Sequence, residues 1–389
     1  MPKLPDWIES SLLERQQSNL MRAPVVLAGA QTPQVVMDGK PYVAFCSNDY
    51  LGLANHPRLI KALKQSVDEC GVGSGASHLV IGHTSSHEKL ENEIAQWLGC
   101  ERVLLFSAGY MANLGAVAAL GHKTRDVISD KLNHASLIDG ARLSDSRLRR
   151  YVHNDVASCE RLLKKSLEGS LLITDGVFSM DGDMAPLANL SSIAQKYNAL
   201  MMVDDAHGIG CVGRLGKGSM EVEGLDFNDI PLLMGTFGKA IGTAGAFVAT
   251  SNVMADYLTQ FARPYIYTTA MSPVMASITC ESVSLLQSGE GEDLRGKLES
   301  NICYFRRKMQ SFPFDLMSSP TAIQPILIGE SSVALEMSEK LKHKGIWCAA
   351  IRPPTVPVGS SRLRITLSAS HSIDDIDSLI NALEYSLPS

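Results

Sequence analysis

The stretch that decides the fold is residues 200–208, Leu-Met-Met-Val-Asp-Asp-Ala-His-Gly. An apolar run that does not alternate with polar residues is typical of a parallel strand buried on both faces. Asp204 and His207 follow at its carboxyl end, where open α/β sheets bind their ligands. An aspartate at a strand end is also often a helix cap. The stretch therefore predicts a buried strand and leaves the role of Asp204 open.

Similar apolar runs recur on both sides of this stretch, separated by segments of helix length. They lie at 102–106, 126–129, 149–152, 171–174, 231–236 and 244–249. Strands that alternate with helices favour a doubly wound α/β fold. We therefore predict a large domain with a mostly parallel sheet of about seven strands, flanked by helices.

The C-terminal part of the chain follows a different pattern. It has predicted strands at 323–328, 346–351 and 362–367 and predicted helices at 332–344 and 373–386. This order predicts a small α+β domain. We divide the chain into an N-terminal arm at 1–45, a large domain at 46–290 and a small C-terminal domain at 291–389. The start of the arm is patterned as an amphipathic helix.

Composition excludes several classes of protein. The 389 residues are 45% hydrophobic and 20% charged, which is ordinary for a globular protein and excludes extensive disorder. The net charge of −6 disfavours a nucleic-acid binder or a protein of membrane surfaces. No apolar run is long enough to span a bilayer, and the N-terminus lacks the apolar core of a signal peptide. The eight cysteines show neither a CxxC pair nor zinc-ligand spacing, so we expect a cytoplasmic protein with free thiols and no metal site.

One glycine-rich stretch resembles a nucleotide site but has the wrong surroundings. Gly71-Val-Gly-Ser-Gly-Ala76 fits the dinucleotide pattern. That pattern must follow a strand and open a helix, whereas here a predicted helix at 58–69 precedes it. We therefore interpret residues 71–76 as a tight loop.

Two further strand ends carry groups that could take part in catalysis or bind a cofactor. Lys239, in Thr236-Phe-Gly-Lys239, follows a predicted strand and lies 35 residues beyond Asp204. A solvated loop lysine is the alternative, but the pair fits a Schiff-base lysine facing an acid that binds a pyridinium nitrogen. Ser107-Ala-Gly-Tyr110 follows another strand and opens a helix, which suits a phosphate group. Together these groups predict pyridoxal 5′-phosphate as the cofactor.

Eight stretches, in order, match one family of pyridoxal-phosphate enzymes. They are residues 73–83, 130–144, 149–155, 174–183, 203–208, 236–242, 261–273 and 351–367. The chain thus resembles the α-oxoamine synthases, which are fold-type I pyridoxal-phosphate transferases. The resemblance implies a homodimer with shared active sites. Asp175 stands where glutamate is common in this family.

The resemblance also implies a role for individual residues. Lys239 would bind the cofactor as a Schiff base and later act as the base at the substrate Cα. Asp204 would pair with the ring nitrogen, and His207 would hydrogen-bond the phenolic oxygen. His134, which by itself could be an ordinary core or surface histidine, would stack on the ring, and Ser179 would lie near the phenolic oxygen and the substrate carboxylate. Phosphate would be held by Gly109, Tyr110 and Thr236, with Thr268 and Thr269 reaching across from the partner subunit.

The substrates are likewise implied by the resemblance. Arg364, assisted by Asn48, would bind the amino-acid carboxylate, because an arginine can bind it in a bidentate manner. Weaker candidates for the acyl chain or its distal carboxylate are Arg352, Arg22 and Thr355, although any single arginine can simply be a surface charge. The expected reaction is the decarboxylative condensation of L-alanine with a pimeloyl thioester of coenzyme A or a carrier protein. The alternatives are sister synthases that use glycine or serine and, more remotely, a non-catalytic structural subunit, which would be expected to lack the lysine.

Overall fold

The computed structural model of the chain describes residues 4–18, 20–166 and 169–386. Its helices are α1 (Asp6–Gln17), α2 (Pro57–Cys70), α3 (Ser85–Leu98), α4 (Gly109–Gly121), α5 (Ala135–Leu143), α6 (Val156–Leu163), α7 (Leu187–Lys196), α8 (Ser219–Val222), α9 (Asn252–Phe261), α10 (Arg263–Ile266), α11 (Pro273–Leu286), α12 (Gly289–Met309), α13 (Ser331–His343) and α14 (Ile373–Ser386). Its strands are β1 (Leu27–Ala28), β2 (Gln34–Met37), β3 (Lys40–Ala44), β4 (Arg102–Phe106), β5 (Asp126–Asp130), β6 (Arg147–Tyr151), β7 (Leu171–Asp175), β8 (Leu200–Asp204), β9 (Leu232–Thr236), β10 (Ala246–Thr250), β11 (Asp315–Leu316), β12 (Ile323–Gly329), β13 (Ile346–Trp347), β14 (Ala349–Ile351) and β15 (Ser361–Thr366).

The large domain is built on a seven-stranded sheet in the order β4-β10-β9-β8-β7-β5-β6. Every pairing in it is parallel except those of β10, which runs antiparallel to both neighbours. Alternate residues of a strand enter two separate hydrophobic clusters, as Leu104 and Leu105 of β4 do. The apolar side chains are thus buried on both faces, which explains why the strands are continuous apolar runs. The predicted fold class is confirmed.

The C-terminal part forms a second, antiparallel sheet in the order β11-β12-β15-β14. The prediction of one strand over 346–351 is wrong, because the segment divides at Cys348. Its first half, β13, pairs in parallel with β3, whereas its second half, β14, pairs with β15. The two halves of the segment pair with strands of two different sheets, so its hydrogen-bond ladder is interrupted between β13 and β14.

A small third sheet, β1-β2-β3-β13, ties the N-terminal arm to the C-terminal part of the chain. The predicted first helix forms as α1, but it buries none of its residues. Trp7, Leu12 and Leu13 are exposed on it. No helix in the described ranges is both long and apolar enough to cross a membrane.

The ends of the central strands decide where the site lies. Asp175 ends β7, Asp204 ends β8 and Thr236 ends β9. These three strands are neighbours or next neighbours and run in parallel, so their carboxyl ends lie at one edge of the sheet. The glycine loop at 71–76 follows α2 rather than a strand, in agreement with the rejection of a dinucleotide site.

Candidate active site

A cavity of about 210 Å³ lies at this edge of the sheet. It brings together eight of the residues singled out in the sequence, namely Gly109, Tyr110, His134, Ser179, Asp204, His207, Thr236 and Lys239. Its remaining lining residues are Asn113, Ser136, Asp175, Ala206 and Met234. The sequence pattern had therefore selected most of one continuous surface.

The Asp204 carboxylate is buried, 5% exposed, and fixed by two donors. Asn113 Nδ2 donates to Oδ2 at 2.6 Å, and the backbone N–H of Ala206 donates to Oδ1 at 3.0 Å. Asn113 Nδ2 also lies 2.9 Å from Ser136 Oγ, which accepts from it. A carboxylate oriented in this way presents its remaining lone pairs in a fixed direction, as recognition of a protonated ring nitrogen requires.

Lys239 lies in the tight loop that follows β9. The backbone N–H of Gly242 donates to the Lys239 carbonyl at 2.9 Å, and Gly242 has a φ of +74°. A Cβ at Gly242 would lie 2.6 Å from the backbone carbon of Leu53, so this position requires glycine. The loop is therefore closed against the segment that precedes α2, and Lys239 is held at the cavity wall.

The amine of Lys239 is poised to lose its proton. Burial lowers its pKa from 10.5 to about 8, although the carboxylates of Asp204 and Asp175 oppose this shift. Asp175 itself has a pKa well above its ordinary value, because it is buried and lies beside Asp204. A lysine with such a pKa has an appreciable neutral fraction near pH 7 and can act as a nucleophile or base.

Two histidines face the same cavity, and burial lowers the pKa of both rings, that of His207 strongly. The Nδ1 atom of His134 accepts from the backbone N–H of Ser136 at 3.3 Å and lies 2.7 Å from Ser136 Oγ. The Nδ1 atom of His207 makes a short hydrogen bond with the hydroxyl of Tyr50. Both rings are therefore neutral near pH 7 and are held by a partner at Nδ1.

The start of α4 supplies an anion site. The helix begins at Gly109 without a side-chain cap, so the N–H groups of its first turn have no partner inside the helix. Gly109 lies against Thr236, since a Cβ at Gly109 would be 3.7 Å from Thr236 Oγ1. Free N–H groups at a helix start favour a phosphate. An amine, a fixed carboxylate, neutral rings and an anion site in one cavity fit pyridoxal phosphate.

Arg364, on β15, is a buried cation with neutral partners. It is 6% exposed. Nε donates to the Ser179 carbonyl at 2.6 Å, Nη1 to Thr366 Oγ1 at 3.0 Å and Nη2 to Asn48 Oδ1 at 3.2 Å. Arg362, two residues earlier, pairs with Asp181 instead. A buried guanidinium without a carboxylate partner among the described residues is ready to bind an anion.

A histidine holds the loop that carries Ser179 in place through contacts with two carboxylates. His153 lies 3.0 Å from an oxygen of Asp130 through Nδ1 and 2.8 Å from an oxygen of Asp183 through Nε2. Burial lowers the pKa of His153, but these two carboxylates outweigh it and raise the pKa to about 9. A charged His153 therefore links the end of β5 to the loop that lines the cavity.

A second, larger cavity of about 670 Å³ meets the first at Lys239. The small N-terminal sheet contributes apolar side chains to its wall, among them Leu27, Val35 and Met37, and Trp347 adds a further apolar surface. Polar groups, among them Gln31, Asn48 and Asp49, line the same cavity. Lys239 thus lies between a small cavity and a larger one whose wall is partly apolar and partly polar. The sequence did not predict the second cavity.

Several predicted residues lie outside both cavities in the single chain. Thr268 and Thr269 line neither, and the Thr269 carbonyl accepts from Ser107 Oγ at 3.1 Å. Arg22 Nη2 lies 3.4 Å from Thr355 Oγ1. Arg22, Thr355, Arg352 and Arg364 line neither cavity. The roles assigned to these residues, and to those that line the cavities, stay predictions.

Sequence reasoning missed Asn113, Ser136 and Tyr50. Asn113 had a usable signal, because it is a polar residue in the otherwise apolar α4, four positions after Gly109 and hence on the same face. Ser136 follows His134 by two residues and resembles an ordinary helix-start serine. Tyr50 lies in a stretch that resembles the family, but its contact with His207 spans 157 residues, and no local pattern predicts that contact.

Comparisons with known proteins agree with this geometry. A family model described as aminotransferase class I and II matches residues 40–383. The chain belongs to the aminotransferase class I and II family. Within this family it is 59% identical to the 8-amino-7-oxononanoate synthase of Marinomonas sp. (strain MWYL1) over 380 residues, covering 98% of this chain and 94% of that protein. It is 50% identical to the enzyme of the same name from Pseudomonas putida (strain KT2440), covering 98% and 97%.

A solved structure shares the whole architecture. Serine palmitoyltransferase from S. paucimobilis, with a bound PLP–myriocin aldimine, superposes with a TM-score of 0.93 at 28% identity, covering 99% of this chain and 98% of that one. The resemblance to the α-oxoamine synthases is confirmed, as is the fold-type I architecture. This aminotransferase-family chain is therefore a pyridoxal-phosphate-dependent enzyme of the acyltransferase type.

Proposed function

We propose that this chain is an 8-amino-7-oxononanoate synthase of biotin biosynthesis. It condenses L-alanine with the pimeloyl thioester of coenzyme A or of a carrier protein, and releases carbon dioxide and the thiol. The observation that carries the proposal is the position of Lys239 between a small cavity and a larger one with both apolar and polar walls. An amino acid and an acyl chain must meet at one base, and this arrangement provides for both.

Pyridoxal phosphate, when bound, supplies an electron sink for negative charge at the amino acid's Cα. In the proposed site Lys239 would bind it covalently and Asp204 would pair with its ring nitrogen. His207 would hydrogen-bond its phenolic oxygen, and His134 would stack on the ring. Gly109, Tyr110 and Thr236 would hold its phosphate, whose charge the free N–H groups at the start of α4 would favour.

Lys239 moves the proton at the substrate Cα. Its pKa of about 8 lets the neutral amine accept a proton near pH 7 and return it at the end of the cycle. Because one side chain is assigned to both transfers, we infer that proton removal and return occur on the same face of the substrate.

Arg364 holds the carboxylate of the amino acid. Its guanidinium is already oriented by Ser179, Thr366 and Asn48, so little side-chain entropy is lost on binding. This anchor fixes the direction of the bonds at Cα. It also places the carboxylate that later leaves as carbon dioxide beside the cavity that holds Ser179.

The larger cavity accepts the acyl chain of the thioester. The apolar part of its wall, which includes Leu27, Val35, Met37 and Trp347, suits a methylene chain, and its polar groups suit the thioester end. Arg22, Arg352 and Thr355 are the candidates for the distal carboxylate. The contact between Arg22 and Thr355 brings two of these candidates together although they are distant in sequence.

Thiol release distinguishes this function from its rivals. Alanine, glycine and serine are each paired with pimeloyl-, acetyl-, succinyl- and palmitoyl-CoA, and the free thiol is measured. We expect fastest turnover with alanine and pimeloyl-CoA. Lys239→Ala is expected to abolish turnover, whereas Lys123→Ala, at an exposed position, retains it. Preference for glycine and acetyl-CoA, or for serine and palmitoyl-CoA, would instead identify a sister synthase.

We further propose that the chain divides into an N-terminal arm at 1–45, a large domain at 46–290 and a small domain at 291–389.

We also propose a cytoplasmic homodimer in which Thr268 and Thr269 reach the phosphate of the partner's site. Subunit mixing tests the dimer. Lys239→Ala protein is mixed with the double variant Thr268→Ala/Thr269→Ala. If the threonines act across the interface, the mixed dimer contains one intact site and activity returns. If they act within their own subunit, mixing restores nothing.

A further inference from the structure

The buried hydroxyl of Tyr50 has polar neighbours in His207, Asn48 and Arg364, of which the guanidinium can only donate. Tyr50 is 1% exposed and lies in the segment between β3 and α2. Its hydroxyl makes a short hydrogen bond with His207 Nδ1 and lies 3.2 Å from Asn48 Oδ1. A tyrosine hydroxyl has a single proton to donate. Which neighbour receives that proton decides which nitrogen of the neutral His207 ring carries hydrogen.

Asn48 is the more distant acceptor of the two, since its Oδ1 atom lies 3.2 Å from the hydroxyl. Oδ1 also accepts from Arg364 Nη2 at 3.2 Å, which occupies one of its two lone pairs. The contact with His207 is the shorter one, and burial strongly lowers the pKa of that ring, so the ring is neutral and Nδ1 can accept. The Nε2 atom of His207 has no hydrogen-bond partner within the described residues, and the ring lines the cavity.

We propose that Tyr50 is a positioning residue whose hydroxyl donates to His207 Nδ1 and thereby holds the ring proton on Nε2, toward the cofactor cavity. Through Asn48 the same hydroxyl adjoins Arg364, so one row of hydrogen bonds joins the carboxylate anchor to the cavity histidine. The consequence for catalysis rests on the proposed function, whereas the position of the ring proton is independent of that function.

The backbone around Tyr50 holds its ring in place. The Asp49 carboxylate accepts from the N–H groups of Leu53 and Ala54 at 2.9 and 3.1 Å. The carbonyl of Tyr50 accepts from the N–H of Ala369 at 2.8 Å. We therefore expect the ring to stay packed when only the hydroxyl is removed. Tyr50→Phe then tests the effect of the lost hydrogen bonds alone.

Nitrogen NMR of ¹⁵N-histidine-labelled, purified full-length protein tests the proposal. The His207 signals are identified by their loss in His207→Gln. In the wild type we expect an unprotonated Nδ1 and a protonated Nε2. In Tyr50→Phe we expect the proton to populate Nδ1. A protonated Nδ1 in the wild type, or identical spectra in the two proteins, would overturn the proposal.

Kinetics provide a second readout with a matched control. Tyr151→Phe removes a hydroxyl from an equally buried phenol, 1% exposed, that does not line the cavity. We expect Tyr50→Phe to lower kcat about 10-fold with little change in the KM for the amino acid, and Tyr151→Phe to leave kcat unchanged. Equal loss in both variants would mean that Tyr50 acts only through packing. If the wild type lacks synthase activity but shows the expected ring proton, the function fails and the positioning role stands.

Discussion

The depressed pKa of Lys239 gives a prediction that can be tested without substrate. With a pKa of about 8 rather than 10.5, about 9% of the amine is neutral at pH 7 instead of about 0.03%, a gain of about 300-fold. The corresponding free-energy difference is about 3.4 kcal/mol, which is the cost of holding the charged amine in this cavity. The gain is large enough to be measured in the protein freed of its cofactor.

The decisive perturbation is Asp204→Asn. The carboxylate of Asp204 raises the pKa of Lys239, in opposition to burial, so its removal lowers that pKa further. An opposite charge in such a site changes a pKa by about one unit or more. At pH 7 the neutral fraction of Lys239 in the cofactor-free protein then rises from about one tenth to about one half.

Competitive labelling measures both values. The apoprotein is treated with trace acetic anhydride between pH 6 and 11, and mass spectrometry compares Lys239 with the exposed Lys61. We expect half-maximal labelling of Lys239 near pH 8 in the wild type and about one unit lower in Asp204→Asn. Asp256→Asn, on the surface, is the control and should match the wild type. A wild-type midpoint near pH 10, or an upward shift in Asp204→Asn, would refute the reasoning.

Three further predictions concern groups around the site. Arg364→Lys keeps the charge but loses the planar fork, so the KM for the amino acid should rise about 10-fold or more in thiol-release assays, whereas Arg362→Lys should affect thermal stability and leave that KM near its normal value. Asn113→Ala removes a donor to Asp204, and the affinity for pyridoxal phosphate in a fluorescence titration should fall about 10-fold; unchanged affinity would contradict the assigned contact. The raised pKa of His153 stabilises the fold below pH 6.5, and this stabilisation is lost as the pH rises to about 9. The Tm advantage over His153→Gln should therefore shrink across that interval, and a constant difference would count against a charged His153.

The local sequence pattern was sufficient to predict the fold of the large domain. The continuous apolar runs mark the buried strands because both faces of the central sheet are covered, and the polar residues directly after β8 and β9 mark the site. Asp204 and Lys239 were found in this way. The C-terminal strand over 346–351 was misjudged because its division depends on pairing with β3, which lies about 300 residues earlier in the sequence.

The same limit applies within the site. Asn113 and Tyr50 act through contacts across 91 and 157 residues, to Asp204 and His207 respectively. No periodicity records such a contact. The larger cavity beside Lys239 was missed for the same reason, since residues of the small N-terminal sheet and of the lysine loop line it together.

The pairing of β3 with β13 has a consequence for how the enzyme is made. Val43 lies opposite Ile346, so the edge of β3 that pairs with β13 stays unpaired until the ribosome has added about 300 more residues. At about 5–20 residues per second this delay is about 15–60 seconds. Arg364 emerges later still, and β15 cannot join β12 before then. We therefore expect nascent chains shorter than this to lack the carboxylate anchor, and the enzyme to become active only near the end of synthesis.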